Sequence, residues 1–301
     1  MIYIMNVEVF KNKFITSIKL NQKLAKFTWF GVGGNAEILF IPEDEKSLID
    51  FLKNKPKEYK VFAIGAGSNL LIRDNGINGI VLVTKKLKKI SIDNNGIISA
   101  EAGAADALVA RFARDYERAG LEFLLGIPGT IGGGIKMNSG AFGSEFKDVL
   151  IDVTAINHSG ELKVFSNHEL KMDYRKIGVG DKWIFCKARF KSTCDNRKNI
   201  ENRMKKIINL RKTAQPTGIK TGGSTFENPI GHKAWKLIDQ AGCRGLKIGD
   251  AIISDKHCNF IINLKNSSAQ QIEELGKRVK LKVFETSGIK LNWEIQRVGI
   301  K

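Results

Sequence analysis

The chain contains 301 residues, of which 43% are hydrophobic and 27% are charged, as in ordinary soluble proteins of two or three domains. No apolar run reaches the length of a membrane span, and residues 1–14 lack the basic start of a signal peptide. The four cysteines form no C-x-x-C pair, so we expect a protein of the reducing cytoplasm without a membrane partner.

The first third of the chain alternates between helix and strand. We predict a short helix over residues 8–20, a strand over 36–41, a helix that begins at Asp44 and reaches about residue 52, and a strand over 79–83. An apolar run also leads into the glycine-rich residues 64–71. Glycine turns at strand ends are places where α/β proteins bind ligands.

The pattern then changes to hairpins and longer helices. We predict hairpins over residues 88–103 and 149–166, helices over 104–119 and 196–210, and a strand over 181–190. The last third predicts a helix over 232–242, a buried strand over 259–263, a helix that begins at Ser268 with a capping box to Gln271, and a strand over 291–299. The fold class is α+β, and we place domain boundaries at residues 1–85, 86–195 and 196–301.

Three glycine-rich runs indicate a phosphate-bearing ligand. Residues 124–143 include seven glycines, and residues 64–71 and 217–224 have the same character. Glycine costs conformational entropy, so a folded protein keeps it where the backbone must approach something closely. Backbone N–H groups in such runs bind phosphate oxygens. Each run alone is equally consistent with a tight structural turn.

Known nucleotide signatures do not fit these runs. Leu70 occupies the position of the third glycine in a dinucleotide-binding motif, and Ile135-Lys136 replaces the Gly-Lys-Ser/Thr of a P-loop. No histidine lies in the first two runs, and neither a metal site nor a catalytic triad can be assembled from residue spacing. A ligand with a pyrophosphate group, held by backbone amides, remains the favoured interpretation.

Together the motifs resemble one enzyme family. The segments TWFGVGGNAE, IGAGSNLLIRDNGINGIVL, LLGIPGTIGGGIKMNSGAFG, DYRKI, QPTGIKTGGSTFENP and LNWEIQRVG occur in the order found in UDP-N-acetylenolpyruvoylglucosamine reductases. The resemblance extends over residues 26–299 and is closest to the shorter subgroup, which lacks an extra tyrosine loop.

The resemblance implies a two-lobed FAD-binding region of the vanillyl-alcohol-oxidase (PCMH) type and a C-terminal α+β substrate-binding domain. It implies noncovalent FAD, NADPH as co-substrate, and reduction of UDP-N-acetylglucosamine enolpyruvate to UDP-N-acetylmuramate for peptidoglycan. We expect a cytoplasmic monomer that does not bind nucleic acid. The cofactor-binding positions are then Gly65, Ala66, Gly67, Ser68, Asn69, Gly126, Pro128, Gly129, Thr130, Gly133, Asn138, Gly140 and Ala141.

Three residues match the family's catalytic positions. Arg175 is suited to a carboxylate, because its planar guanidinium donates two hydrogen bonds at once. Ser224 matches the proton donor to the developing carbanion, and Glu294 matches a glutamate that acts at the enolate-like carboxyl group. Without the resemblance, the three would be interpreted as a surface ion pair, a loop hydroxyl and an outward-facing strand residue.

Four further residues are candidates for substrate contacts. Asn228 matches a substrate-binding asparagine, Tyr174 precedes the arginine, and Arg211 and Lys220 are suited by charge to the UDP pyrophosphate. The chain departs from the family pattern at Ile177, where a serine is usual, and at Glu227, where a lysine is usual.

Two alternatives remain open. The net charge of +18 is consistent with a nucleic-acid-binding protein, although the one dense basic cluster, at residues 85–89, contains no aromatic residue for base stacking. The glycine runs are also consistent with a flavoprotein oxidase acting on an alcohol, which would not need Arg175, Ser224 and Glu294.

Overall fold

The structure is a computed structural model that describes residues 2–301, with side chains described from Glu8 onward. Two compact units divide the chain. The first contains residues 2–20, 38–66 and 79–211, and the second contains residues 21–37, 67–78 and 212–301. The three domain boundaries expected from the sequence remain a prediction.

Helices and short strands alternate along the chain. The α-helices are α1 (Ile2–Lys13), α2 (Glu45–Asn54), α3 (Asp106–Asp115), α4 (Ile131–Lys136), α5 (Phe146–Val149), α6 (Arg197–Ala214), α7 (Ala234–Gln240) and α8 (Ala269–Ser287). The strands are β1 (Ile18–Lys23), β2 (Asn35–Phe40), β3 (Val61–Ile64), β4 (Leu70–Ile72), β5 (Ile77–Val83), β6 (Ile90–Ile92), β7 (Ile98–Glu101), β8 (Arg118–Ala119), β9 (Gly140–Ala141), β10 (Ser144–Glu145), β11 (Leu150–Asn157), β12 (Leu162–Ser166), β13 (Trp183–Phe190), β14 (Thr193–Cys194), β15 (Lys220–Ser224), β16 (Lys247–Ile248), β17 (Ala251–Ile253), β18 (Phe260–Asn263) and β19 (Gln296–Val298).

The first unit combines a parallel strand pair with an antiparallel sheet. Strands β3 and β5 run parallel, with Val61 opposite Ile80 and Ile64 opposite Val83. The antiparallel sheet has the order β12-β11-β13-β7-β6. Large aromatic side chains fill two hydrophobic cores, one around Phe146 and the other around Phe51. Strand β3 ends at the buried Ile64, which is the first residue of the glycine run at residues 64–71.

The second unit is built on the antiparallel sheet β15-β18-β17-β16, and β19 pairs in parallel with β4. Its core includes the buried faces of α7 and α8 and the fully buried Phe226. A salt bridge of 3.0 Å between Arg73 and Glu273 lies at the edge of this core, with both side chains largely buried. Residues far apart in sequence are thus fixed against each other here.

Several predicted elements are confirmed. The Asp44 side chain accepts from the Ser47 amide at the start of α2, and Ser268 and Gln271 form the expected capping box at α8. The predicted hairpins appear as β6–β7 and β11–β12. Each of these predictions rested on local sequence signals, and tertiary contacts did not override them.

Other predicted boundaries differ from the structure. Helix α3 ends at Asp115, because Glu117 adopts a left-handed conformation (φ 54°) that a helix cannot continue through. The strand predicted over residues 291–299 is limited to β19, so Glu294 precedes it. The third glycine run, expected to be a loop, forms strand β15 from Lys220 onward.

The structure can be searched for membrane-spanning helices, metal sites and disulfides. Within residues 2–301, no helix is long and apolar enough to cross a membrane, and no cluster of three His, Cys, Asp or Glu side chains could hold a metal ion. All four cysteines are free thiols. Burial raises the pKa of the Cys258 thiol to about 11.

Candidate functional site

The central glycine run is folded rather than extended. It begins within a 3₁₀ helix (Glu122–Gly126) and contains α4 and β9. The amides of Ile131 and Gly132 donate to the carbonyls of Ala104 and Ala102 at 3.0 and 2.9 Å. A Cβ at Gly134 would lie 2.3 Å from the ring of Phe146. Part of the glycine content therefore permits close packing within the protein.

Two glycine runs meet at Thr130. A Cβ at Gly65 would lie 2.4 Å from Thr130 Oγ1 and 3.7 Å from the Gly133 amide nitrogen. Thr130 is the N-cap residue of α4, yet its hydroxyl caps no amide, and Oγ1 is buried without a hydrogen-bond partner. Only glycine fits at position 65. The first unit thus contains a buried hydroxyl without a partner beside the backbone of two glycine runs, an arrangement suited to phosphate oxygens.

Asp106 is the first residue of α3, and its carboxyl group lies beside Gly129 of the central glycine run. Its side chain is fully buried, and neither carboxyl oxygen has a hydrogen-bond partner. Burial raises the pKa of this carboxyl group well above its ordinary value. The Asp106 amide donates to the Gly129 carbonyl at 3.2 Å, which ties α3 to the glycine run. The carboxyl group is therefore expected to be neutral and packed against the loop backbone.

Arg211 belongs to the same region. Its Nη1 donates to the carbonyl of Leu125 at 3.4 Å, directly before Gly126, and its Nε is buried without a partner. Burial lowers the pKa of this guanidinium. The sequence assigned Arg211 and Lys220 to the UDP pyrophosphate, and that assignment stays a prediction. Within the first unit, Arg211 contacts the residue before Gly126, one of the predicted FAD-binding positions.

A strained turn carries Tyr174 and Arg175. Arg175 has a left-handed backbone (φ 55°), and its guanidinium carbon lies 5.1 Å from the centre of the Tyr174 ring. For a residue with a long side chain, such a backbone is held by its surroundings and is frequent at functional sites. Asp173 and Lys176 close the turn through two backbone hydrogen bonds, of 3.0 and 3.1 Å.

Asn138 supports this turn. Its amide nitrogen donates to Glu145 Oε2 at 3.0 Å and to the Asp173 carbonyl at 3.2 Å, and its oxygen accepts from the Lys147 amide at 3.0 Å. The side chain is fully buried. The sequence placed Asn138 among the cofactor contacts, whereas its hydrogen bonds connect the central glycine run to the turn that carries Arg175.

In the second unit, Ser224 ends strand β15. Thr221 pairs with Ile262 and Ser224 pairs with Phe260, so Gly222 and Gly223 share the position opposite one residue of β18. This is a β-bulge, a feature that is frequent near active sites. A Cβ at Gly222 would lie 2.3 Å from the ring of Phe30. The glycines therefore allow the strand to pack tightly while it presents Ser224 at its end.

A backbone hydrogen bond joins Glu294 to the residue that follows Ser224. The Glu294 amide donates to the carbonyl of Thr225, the residue after Ser224, at 2.9 Å. Asn69, from the IGAGSNLL run, donates from its side chain to the Glu294 carbonyl at 3.1 Å, and its backbone carbonyl accepts from the Gln296 amide at 3.0 Å. Three motifs that are distant in sequence thus meet in the second unit.

Asn228 and Lys220 already have partners within the protein. The Asn228 side-chain oxygen accepts from the Ala234 amide at 3.0 Å, at the start of α7. The stem of Lys220 covers Gly31, where a Cβ would lie 3.1 Å from the lysine Cδ, and its Nζ donates to the Lys265 carbonyl at 3.3 Å. Both side chains are exposed and can also reach a ligand.

Sequence reasoning missed Asp106 and the supporting role of Asn138. An aspartate at a helix start is common, and the one available signal was an acidic residue inside the small apolar run AGAADALV. Both residues become significant only through burial and partners, which require the fold.

Comparisons with known proteins agree with this arrangement. A family model described as a FAD binding domain matches residues 36–166, and a model described as the C-terminal domain of UDP-N-acetylenolpyruvoylglucosamine reductase matches residues 215–298. The UDP-N-acetylenolpyruvoylglucosamine reductase of Bradyrhizobium sp. (strain ORS 278) is 48% identical over 283 residues, 93% of this chain and 92% of that protein. The one from Rickettsia bellii (strain RML369-C) is 44% identical and covers 98% of this chain and 97% of its own.

A solved structure extends the likeness to three dimensions. The crystal structure of UDP-N-acetylenolpyruvylglucosamine reductase from Thermus caldophilus superposes with a TM-score of 0.80 at 34% identity, and it covers 93% of this chain and 97% of that chain. The predicted α+β class, with an FAD-binding region followed by a C-terminal domain, is confirmed.

Proposed function

Because the chain belongs to the UDP-N-acetylenolpyruvoylglucosamine reductase family, we propose that it reduces UDP-N-acetylglucosamine enolpyruvate to UDP-N-acetylmuramate with NADPH as the electron donor. The product places the enzyme in peptidoglycan precursor synthesis in the cytoplasm. We propose that it acts as a monomer.

The residues of the first unit fit a FAD site. The Thr130 hydroxyl and the Gly133 amide, which lie beside the backbone of Gly65, are suited to the pyrophosphate, and the buried Arg211 Nε is suited to another polar group of the cofactor. Bound FAD supplies the hydride transfer that connects the nicotinamide with the enolpyruvyl double bond. No histidine lies in the glycine runs at residues 64–71 and 124–143, in agreement with noncovalent binding of FAD.

The protein must orient the substrate, stabilise negative charge and deliver a proton. As the methylene carbon of the enolpyruvyl group accepts a hydride, charge develops on the neighbouring carbon and its carboxylate. We assign binding of this carboxylate to Arg175. We assign proton donation to the hydroxyl of Ser224, and stabilisation of the enolate-like carboxyl group to Glu294.

One observation carries the proposal. The hydrogen bond from the Glu294 amide to the Thr225 carbonyl, 2.9 Å long, joins the two motifs to which the resemblance assigns proton transfer and enolate stabilisation. An alcohol is a weak acid, so Ser224 needs a polar neighbour that is fixed in position. A flavoprotein oxidase acting on an alcohol has no use for this pair.

The test is the visible absorption spectrum of the purified protein under anaerobic conditions. We expect a flavin band that NADPH bleaches and that returns when UDP-N-acetylglucosamine enolpyruvate is added. Return of the band with oxygen but not with this substrate would favour the oxidase alternative. A colourless protein that takes up no FAD, and whose nucleic acid affinity falls steeply with salt, would favour the nucleic-acid-binding alternative.

A further inference from the structure

Asn69 connects a predicted cofactor-binding run to a predicted catalytic residue. Its side-chain amide donates to the carbonyl of Glu294 at 3.1 Å, and its backbone carbonyl accepts from the amide of Gln296 at 3.0 Å. All three residues belong to the second unit. The two bonds hold the chain at residue 294 and again two residues further on. Asn69 therefore fixes the backbone that carries the Glu294 side chain.

The carbonyl of Glu294 lies just outside the sheet. Strand β19 begins at Gln296, whose partner in β4 is Leu70. Glu294 precedes the strand, and its carbonyl accepts from the side chain of Asn69 rather than from a backbone amide of β4. A polar backbone group at such a place needs a donor from outside the ladder. The Asn69 amide thus continues the hydrogen bonding of the sheet to residue 294.

The N–H side of Glu294 is fixed as well. Its amide donates to the Thr225 carbonyl at 2.9 Å, and the Ile295 amide donates to the same carbonyl at 3.4 Å. The backbone has two soft dihedral angles per residue, so a residue that is bonded at both its N–H and its C=O has little freedom in either angle. The direction in which the Glu294 side chain leaves the backbone is therefore set by Thr225 and Asn69 together.

The preceding residue, Trp293, is packed against its neighbours. The guanidinium carbon of Arg297 lies 4.4 Å from the centre of its ring. A Cβ at Gly276 would lie 2.0 Å from the Trp293 ring, so the indole rests on the backbone of α8. The chain is therefore held on the N-terminal side of Glu294 by packing, and Asn69 supplies the constraint on the C-terminal side.

Asn69 itself follows a fixed stretch of backbone. Gly67 adopts a left-handed conformation (φ 66°), and a Cβ there would lie 2.0 Å from the carbonyl oxygen of Phe27. The Gly67 carbonyl accepts from the Trp29 amide at 3.1 Å. Glycine permits this close approach, which determines how the chain enters Asn69. A side chain on such a backbone is suited to holding another group in place.

A second asparagine makes an equivalent bond that does not lead to Glu294. Asn75 donates from its side chain to the Lys301 carbonyl at 3.1 Å, and it is exposed. Both bonds join residues 67–78 to the C-terminal end of the chain. If Asn69 served only to tie these segments together, the two asparagines would be equivalent. Asn75 is therefore a matched control for a positioning role of Asn69.

We propose that Asn69 is a positioning residue, whose side-chain amide sets the direction of the Glu294 carboxyl group by holding the Glu294 carbonyl. This inference rests on the proposed function, because Glu294 takes its role from there. Stabilisation of a developing charge depends on groups that are in place before the reaction. The Asn69 side chain then affects reoxidation of the flavin by the enolpyruvyl substrate. Reduction of the flavin by NADPH does not use Glu294 and should not depend on the Asn69 side chain.

The test compares the FAD-loaded parent with Asn69→Ala, Asn69→Asp and Asn75→Ala. Aspartate keeps the shape of the side chain but lacks the NH₂ donor. Anaerobic stopped-flow absorbance measures flavin reduction by NADPH and single-turnover reoxidation by the substrate, and the FAD-to-protein ratio and urea unfolding are measured on the same samples. Reoxidation should slow about 10- to 100-fold in both Asn69 variants, with FAD content and reduction unchanged. Asn75→Ala should match the parent in both half-reactions.

A double-mutant cycle with Glu294→Gln shows whether Asn69 acts through Glu294. Glutamine removes the carboxyl group that Asn69 orients, so adding Asn69→Ala in that background should change reoxidation by less than about twofold. Single-turnover reoxidation followed over hours keeps the slow variants measurable.

The other outcomes separate the possible failures. Parent-like reoxidation in both Asn69 variants, or equal slowing by Asn69→Ala with and without the Glu294 carboxyl group, overturns the proposal. Loss of FAD together with slower reduction by NADPH also overturns it, and would make the Asn69 side chain a cofactor ligand. Equal slowing in Asn75→Ala would assign the effect to general stability and overturn it too. A flavin-loaded parent that NADPH reduces but the enolpyruvyl substrate does not reoxidise would instead reject the proposed function itself.

Discussion

The carboxyl group of Asp106 faces Gly129 so closely that a Cβ at residue 129 would lie 2.6 Å from Asp106 Oδ2. Asp106 is fully buried on α3, so a Cβ at residue 129 would force its side chain or the loop backbone to shift. The glycine is therefore required by the protein's own packing, and the same packing fixes the backbone of a predicted FAD-binding loop.

Gly129→Ala should weaken both folding and cofactor binding. Overpacking in a filled interior costs about 1–3 kcal/mol, and relief of the clash would displace the loop. We expect a lower free energy of unfolding and a lower ratio of FAD to protein by absorbance. Gly180→Ala is the control, because a Cβ there meets nothing within 4 Å. Full FAD occupancy and unchanged stability in Gly129→Ala would show that the loop tolerates the displacement.

Asp106→Asn should change the pH dependence of stability. The folded-state pKa of Asp106 is raised above its ordinary value of 3.8, so the folded protein binds this proton more tightly than the unfolded chain. The parent's stability from this group is complete below that value and is lost as the pH rises through the folded-state pKa. Asparagine cannot ionise and avoids this loss.

Urea unfolding of the two proteins between pH 4 and pH 8 tests this expectation. The free energy of unfolding of Asp106→Asn relative to the parent should rise with pH, by up to about 1.4 kcal/mol per pH unit. Parallel curves would mean that Asp106 is ionised in the folded protein with an ordinary pKa, and that its carboxylate has found a partner.

Ser224→Ala should separate the two half-reactions. Flavin reduction by NADPH is expected to proceed at the parent's rate, whereas reoxidation by the enolpyruvyl substrate should slow about 10²–10⁴-fold, because the proton donor is missing. Anaerobic stopped-flow absorbance measures both steps on one sample. Equal slowing of the two steps would indicate a folding or cofactor defect, and unchanged reoxidation would remove Ser224 from proton transfer.

Asn138→Ala should loosen the turn that carries Arg175. The substitution removes three part-buried hydrogen bonds of the Asn138 side chain, and we expect a loss of about 2–4 kcal/mol in the free energy of unfolding. The KM for the enolpyruvyl substrate should rise, because Arg175 is then less well fixed. Asn199→Ala, which removes one exposed hydrogen bond to Asp195, is the control. A raised KM with unchanged stability would argue for direct contact between Asn138 and a ligand.

Local signals were sufficient for much of the fold. The caps at Asp44 and Ser268 and the hairpin β11–β12 depend on residues within a few positions of each other, and all three are confirmed. Strand β15 was missed, because glycine-rich sequence favours a loop and the pairing of Thr221 with Ile262 spans a long stretch of chain.

At the candidate site, too, sequence alone does not show which distant residues come together. The resemblance supplied Ser224 and Glu294 as separate motifs, but only the fold joins them through Thr225. The absence of partners for Asp106 could not be inferred, because an aspartate at a helix start is ordinarily solvated. Burial and long-range pairing are properties of the assembled chain, and no window of sequence contains them.

The cap at the start of α7 has a chemical consequence for Asn228. One lone pair of its oxygen is engaged by the Ala234 amide, and this bond holds the side chain in an orientation that leaves the NH₂ group for a ligand. Asn228 is thereby converted from an ambivalent amide into a donor. It will select oxygen acceptors, such as the carbonyls of a pyrimidine or the oxygens of a diphosphate, and it will discriminate against ligands that present an N–H or O–H at that point.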